Sequence, residues 1–363
     1  MIDGNGKRAF RIMLLFMLAG CLAMPLMAQD QPAAETAEED IPDEWKAFVG
    51  EVTVTAQKRE EDIQDVPMSL TALPKEDLDI LTAGGADIRA LSGRAPSLIM
   101  ESSFGRAFPR FYIRGLGNTD FDLNASQPVS MVMDEIVLEN PIVKGMPLFD
   151  LERVEVLRGP QGTLFGRNTP AGAVKFESVK PSQEFDAFAR LSYGTYDTTD
   201  VRFGVGGALT KTLSARVSGM YQGRSDWVDN TYEPGPVDKL GGYSNTAYRI
   251  QLLWEPDENL AFLFNVHGWT VDGTARMFRA NILDQGSNEL NDNFSFDRVS
   301  QDGINKQEID SIGGLLRIDY DFGGATLTAL TGYESLDMYS RGDIDGGFGA
   351  VFAPPSGPGF IPF

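Results

Sequence analysis

The sequence predicts an α+β domain followed by an antiparallel transmembrane β-barrel that is incomplete, with about seven strands present. Three observations carry this fold class. Residues 63–180 mix short β-like runs with helix-like pieces and many glycines. Residues 184–363 hold seven stretches in which apolar and polar residues alternate, and the joints between them switch from tight turns to long polar loops.

The 363 residues, 42% of them hydrophobic, suffice for a sizeable core, which excludes wholesale disorder. A net charge of −21 with no Lys/Arg-rich run argues against a nucleic-acid partner. One His and one Cys leave too few ligands or nucleophiles for a zinc site, an iron–sulfur cluster or a Ser-His-Asp triad, so no metal, cofactor or catalytic residue is expected. No apolar run of membrane-spanning length follows the N-terminus, which excludes spanning helices but not spanning strands.

Lys7, Arg8 and Arg11 precede an apolar stretch from Ile12 to Met27, and Leu26-Met27-Ala28 ends it as a cleavage site would, so residues 1–28 read as a signal peptide. Leu18-Ala19-Gly20-Cys21 also fits a lipoprotein cleavage site, but the apolar region continues past Cys21, as in a longer leader. Residues 29–62 carry eleven acids against Lys46, Lys58 and Arg59, a net of −8 in 34 residues, and read as an extended, solvated tail. Inside it lies Glu51, Val52, Thr53, Val54, Thr55 and Ala56. This is either a short strand of the next domain or a mobile segment that adds to a partner's sheet edge, where main-chain hydrogen bonds supply the affinity.

In residues 63–180, helix starts are expected at 74–78 and 87–91, and strands at 111–115, 129–134 and 154–159. The glycine-rich stretch 151–176 is not a phosphate cradle, because no Gly-Lys-Ser/Thr follows and Pro160 removes a donor. Gly115-Leu116-Gly117 likewise lacks the last glycine of a dinucleotide fingerprint.

Glu51 to Ala56 with Gln57-Lys58-Arg59-Glu60-Glu61, then Ile113-Arg114-Gly115, Val132-Met133-Asp134-Glu135, and residues 151–166 with Arg158-Gly159-Pro160 form an ordered set. Over residues 49–180 it resembles the TonB box and plug domain of TonB-dependent outer-membrane receptors. The resemblance implies a plug folded inside a 22-stranded barrel and uptake powered through TonB, which residues 51–56 would bind. It also implies two plug arginines, falling on Arg114 and Arg158, that pair with barrel glutamates. Both follow a β-like run and precede a glycine, and each needs an acid if buried, since an unpaired buried charge is costly.

The barrel stretches fall at 185–194, 200–209, 212–223, 244–255, 259–271, 308–320 and 325–340. Leu213, Ala215, Val217, Gly219 and Tyr221 alternate with Ser214, Arg216, Ser218, Met220 and Gln222; Tyr248, Ile250, Leu252 and Trp254 alternate with Arg249 and Gln251. A soluble sandwich alternates too, with its apolar face inward. The alternation of joints, with long loops at 224–243 and 272–307, favours the barrel, as do Tyr193, Tyr196, Tyr221, Trp227, Trp254, Trp269, Tyr320, Tyr333 and Tyr339 near strand ends. Seven strands do not close a barrel, so a fragment ending in the fourth outer loop, with an open edge at strand seven, is expected.

The expected function is TonB-dependent import of a scarce nutrient across the outer membrane of a Gram-negative bacterium. Within the resembled family ferric siderophores are the commonest substrates, beside vitamin B12, saccharides, nickel complexes and aromatic compounds. The expected partners are TonB, outer-membrane lipid and the extracellular nutrient. Phe104, Arg106, Asn118 and Asp120 are candidate ligand contacts from their place in plug loops, and His267 is expected to face the lumen in a structural role. The Asp and Glu residues lie scattered over turns and loops, where solvated charge is the expected role, so no enzyme site is read. The alternatives are a passive porin or adhesin, which needs neither plug nor strand-like tail, and a non-functional truncated receptor. A signal-transducing receptor would need a further domain, for which residues 29–50 are too few.

Overall fold

The computed structural model describes residues 53–347 except 121, 281 and 285. The expected signal peptide, most of the acidic tail with Glu51 and Val52, and the last loop lie outside the described residues.

The first domain opens with two short strands, β1 (Thr53–Val54) and β2 (Glu61–Asp62), paired with each other. Then come β3 (Ser69–Pro74), α1 (Lys75–Leu81), β4 (Leu98–Glu101), β5 (Arg110–Ile113), β6 (Val129–Met133), β7 (Ile136–Leu138), β8 (Leu151–Arg158), α2 (Gly162–Phe165) and β9 (Gly172–Ser178). The residues expected to start a second helix, 87–91, form a single 3-10 turn, Ile88–Leu91. Five strands make one sheet in the order β3-β8-β9-β6-β7, with β6 and β9 parallel. β6 and β9 are buried throughout, as strands covered on both faces must be. The β6–β7 hairpin turns on Asp134 and Glu135, both at positive φ (46° and 69°), which matches the right-handed twist of the strands. Gly172 opens β9 at φ 150°, where a Cβ would run into the Leu157 carbonyl, so only glycine lets β8 and β9 meet there.

The second region is a single antiparallel meander. Its strands are β10 (Asp186–Gly194), β11 (Thr198–Thr210), β12 (Leu213–Arg224), β15 (Tyr243–Asp257), β16 (Leu260–Gly273), β18 (Lys306–Asp321) and β19 (Thr326–Arg341). All seven expected strands are present, each hydrogen-bonded to its sequence neighbours. The two long loops contribute β13 (Val228–Asn230), β14 (Lys239–Leu240) and β17 (Arg298–Val299), which pair across the loops as a small sheet ordered β14-β13-β17. Among the described residues the seven-stranded sheet is open, since β10 and β19 have one neighbour each.

Side-chain polarity decides between membrane wall and soluble sandwich. On the outer face Ile250, Trp254, Phe264, Val266 and Ile312 are 41–54% exposed, while Arg249, Gln251 and Asn265 on the inner face are at most 3% exposed. A water-soluble sheet would bury the first set, worth about 1.5–3 kcal/mol for each large side chain, and solvate the second. A sheet with lipid outside and a packed polar interior does the reverse. Trp254 stacks on Phe262 at 5.2 Å, and Tyr320 meets Phe322 edge-on at 4.6 Å, both near the short-turn rim, as an aromatic girdle requires. Trp269 departs from the expected girdle: it is buried with Met220, Ala247, Val271 and Ile309 in one cluster with Phe108, Phe111 and Phe149 of the first domain. That domain therefore packs against the inner face of the wall, and no described helix is long and apolar enough to cross a membrane.

Candidate functional site

Residues 53–56, for which the sequence left open a short strand or a mobile segment, begin with a short strand at Thr53–Val54. Alternation along the strand sends Val54 and Ala56 inward, where both are fully buried with Val66, Val132, Leu157 and Phe165. Thr55 lands on a cluster of charged groups under the plug sheet. Its amide donates to Glu155 Oε1 at 2.7 Å, and Lys175 Nζ donates to its carbonyl at 2.8 Å. Its hydroxyl accepts from Arg153 Nη2 at 3.2 Å and from Lys175. Glu155, Lys175 and Glu177 are almost wholly buried and neutralise one another, with Lys175 Nζ 2.9 Å from Glu177 Oε1 and Arg153 Nε 2.8 Å from Glu155 Oε1. Burial alone would raise the Glu177 carboxyl, but Lys175, Lys180 and Arg153 outweigh it and hold the pKa below the ordinary value. Only Thr53 and Val54 are held by strand pairing, to Asp62 and Glu61. The segment is thus docked on the sheet by a few polar contacts and two apolar side chains.

A second set of contacts holds the plug to the wall. Arg216 on β12 points inward and grips Asp150 with two bonds, Nε to Oδ2 at 2.8 Å and Nη2 to Oδ1 at 2.6 Å, and reaches Asp186 at 2.8 Å. Arg249 lies over the Phe149 ring at 4.8 Å and donates to the Phe149 and Asp150 carbonyls. Asp134, fixed by its hairpin turn, accepts from the Ser178 amide at 2.9 Å and from Asn265 Nδ2 at 3.4 Å, while Gln251 Nε2 donates to Ser178 Oγ at 2.9 Å. Arg202 pairs with Asp200 at 2.8 Å and also donates to the Thr82 carbonyl. The expectation that the acids are simply solvated fails here. Asp134, Asp150, Glu155 and Glu177 are all buried, each with hydrogen-bond partners, because the lumen is filled by polar surface rather than water.

Arg114 and Arg158 behave differently from these wall arginines. Arg114 is exposed in a turn at φ 53°, followed by Gly115 at φ 77°. Arg158 donates to Ser69 Oγ (2.9 Å), the Leu70 carbonyl (3.1 Å) and Thr71 Oγ1 (2.6 Å). Partial burial, with the Arg114 charge nearby, lowers its pKa from the ordinary arginine value. Among the described residues no carboxylate pairs with either arginine.

Of the four candidate ligand contacts, the structure brings two to the wall. Phe104 packs edge-on against Phe108 at 5.2 Å, and its carbonyl accepts from Gln307 at 2.5 Å. Arg106 lies 3.9 Å over the Tyr243 ring and donates to Gln222 Oε1 at 3.1 Å. Asn118 and Asp120 instead brace their own exposed loop, Asn118 Nδ2 donating to the Ser126 carbonyl at 2.7 Å and the Asp120 amide to Asn118 Oδ1 at 2.9 Å. His267 faces the lumen as expected, with Nε2 2.9 Å from Glu334 Oε2 and Nδ1 3.1 Å from Asn265 Oδ1.

Residues 62–173 match the TonB-dependent receptor plug domain. Similar proteins include the ferrioxamine receptor of Yersinia enterocolitica, 27% identical over 32% of this chain and 15% of that protein. The ferrioxamine B receptor of Salmonella typhimurium is 24% identical over 51% of this chain and 26% of its own length. The vitamin B12 transporter BtuB of Vibrio vulnificus is 22% identical over 61% and 35%. The chain thus spans about a third or less of the length of these relatives. Among solved structures, the ferric yersiniabactin uptake receptor FyuA of Yersinia pestis superposes with a TM-score of 0.64 at 19% identity, over 75% of this chain and 41% of that one. The pyoverdine receptor FpvA of Pseudomonas aeruginosa gives 0.63 at 16% identity, over 79% and 40%. Plug, inward-polar wall and motif order agree: residues 62–173 are a TonB-dependent receptor plug domain, and the chain has the fold seen in TonB-dependent outer-membrane receptors.

Proposed function

We propose that this chain serves energy-coupled import of a scarce nutrient across the outer membrane, with ferric siderophores as the substrate class and TonB as the partner. The observation that carries the proposal is the docking of residues 53–56. Two paired residues, two buried apolar side chains and the Thr55 contacts hold a strand that a partner can take over by pairing with its main chain. The charges beneath Thr55 remain paired with one another when the segment leaves, so release does not strand a buried ion. Ligand would bind at the outer loops and plug loops, TonB would add residues 51–56 as a strand, and pulling would rearrange the plug against its polar seat on the wall. Arg114 and Arg158 would hold glutamates of barrel strands beyond the seven described. The relatives named as ferrioxamine receptors support the substrate class, and nothing in the site calls for catalysis. A passive porin has no use for a docked strand.

A purified TonB C-terminal domain is expected to bind a peptide of residues 49–60, and Val54→Pro in that peptide is expected to weaken binding by removing a strand donor. Equal binding of the two peptides would remove the TonB-box assignment.

A further inference from the structure

The long-loop rim carries a cavity of about 530 Å³ between the plug loop at Gly105-Arg106 and the wall, a volume suited to a small-molecule ligand. Five arginines line it: Arg89 and Arg106 from the plug, Arg224 from the end of β12, and Arg276 and Arg279 from the loop after β16. No Asp or Glu is among its lining residues, in a chain whose net charge is −21. Arg89 is neutralised by Asp87 at 2.6 Å. Among the described residues no carboxylate is in direct contact with the other four; Asp87 acts on Arg106 and Asp297 on Arg279 only from a longer distance. Arg106 is held by Gln222 and the Gly85 carbonyl, Arg224 by the Gly241 carbonyl, and Arg279 by the carbonyls of Ser295, Phe296 and Arg298. The Nε atoms of both Arg106 and Arg224 are buried without any acceptor. Asp226, on the same rim, accepts from the Gly242 amide at 2.6 Å rather than from an arginine. Both guanidinium groups lie over the Tyr243 ring, Arg106 at 3.9 Å and Arg224 at 5.2 Å from its centre, which helps hold the two planar groups in place.

This contrasts with the wall below, where Arg202 and Arg216 take buried acids. Five arginines with one directly paired carboxylate repel one another and carry a desolvation cost, so a cavity built this way is stabilised by a ligand of opposite charge. Carboxylate and phosphate-type oxygens fit guanidinium donors, and a cavity lined by one sign of charge raises the local concentration of such a ligand.

We infer that the rim cavity is a recognition site for an anionic ligand bearing several carboxylate-like oxygens, and that Arg106, Arg224, Arg276 and Arg279 supply the charge that selects it. The inference deepens the import reading by giving the substrate a charge. It sets this chain apart from a receptor for a cationic chelate.

Equilibrium dialysis of the detergent-solubilised chain with two ferric chelates tests it: ferric citrate, which is polyanionic, and ferrioxamine B, which is cationic. Ferric citrate is expected to bind at least about tenfold more tightly, with the preference shrinking as salt is added. Arg276→Gln, which breaks no protein contact described above, and Arg106→Gln are each expected to lose about tenfold, whereas Arg276→Lys keeps most of the affinity and Lys211→Gln, at the exposed short turn between β11 and β12 on the opposite rim, keeps all of it. Equal affinity for the two chelates, no binding of ferric citrate, or equal losses from Lys211→Gln and Arg276→Gln would overturn the inference. Energised uptake in whole cells separates the two readings. Anion-selective binding without energised uptake leaves this inference standing and removes the import reading, and energised uptake without anion preference does the opposite.

Discussion

Replacing Asp150 by asparagine removes the acid that Arg216 was folded to meet. The pair is bidentate, at 2.8 and 2.6 Å, and both side chains are at most 3% exposed. Removing one partner of such a pair costs about 3–5 kcal/mol, because the remaining ion stays buried. The third contact, to Asp186, survives, but that carboxylate is half exposed and offsets no more than about 1 kcal/mol. A net loss of about 3 kcal/mol is therefore expected for plug–wall docking, equivalent to a urea midpoint lower by about 1.5 M if the slope is ~2 kcal/mol/M. Trp269 reports the event, since it is buried between plug and wall; Trp45, Trp227 and Trp254 would be changed to Phe so that only its emission is read. Asp186→Asn is the control and should move the midpoint little. A variant with Arg216→Met and Asp150→Leu together should recover part of the loss, as apolar replacement of a buried pair does. A shift for Asp150→Asn no larger than that for Asp186→Asn would show that this pair does not seat the plug.

Burial lowers the Lys144 pKa to about 8, its Nζ being held by the Val129 carbonyl at 3.0 Å and Gln127 Oε1 at 3.2 Å. Below that value the folded and unfolded chains carry the same proton. Between about 8 and 10.5 the unfolded chain keeps a proton that the folded chain has lost, so stability should rise with pH by up to about 3 kcal/mol, an increment absent in Lys144→Met. Denaturant midpoints across that window check it, and parallel curves for the two proteins would refute it. Ile250→Arg, on the lipid face, should cost about 2–4 kcal/mol for folding into vesicles, whereas Thr212→Arg at a short turn should cost little; equal costs would contradict the assigned faces. Thr55→Val should speed amide exchange at 54–56 at least about fivefold by loosening the docked strand, and unchanged exchange would mean the hydroxyl does not hold it.

Much of this architecture is legible in the residues, for a physical reason. A wall strand has one face toward lipid and one toward a polar lumen, so Ile250, Leu252 and Trp254 alternate with Arg249 and Gln251 even in a single sequence. The short plug strands were readable where glycine or a positive-φ turn ends them, as at Asp134-Glu135. The plug–wall pairs were not readable. Arg216 meets Asp150 66 residues away, and Asn265 meets Asp134 131 residues away, and nothing local marks either partner. β13, β14 and β17 were missed because two or three residues carry no period, and their pairing joins two separate loops. The rim cavity was missed for a similar reason: its arginines come from four separated segments, and only Arg106 drew notice, from its place in a plug loop. Whether residues 51–56 form a strand of the plug or a mobile segment was open from sequence. The structure shows Thr53 to Ala56 docked, which is compatible with both roles in turn.

Uptake of a radio-iron chelate by living cells tests the central claim most directly, comparing cells with an intact proton gradient, cells treated with a protonophore, and cells in which the receptor carries Val54→Pro. Energy-coupled import predicts uptake that falls to background in both of the latter. Uptake that continues at the same rate without the gradient and with Val54→Pro would identify a passive channel and contradict the account.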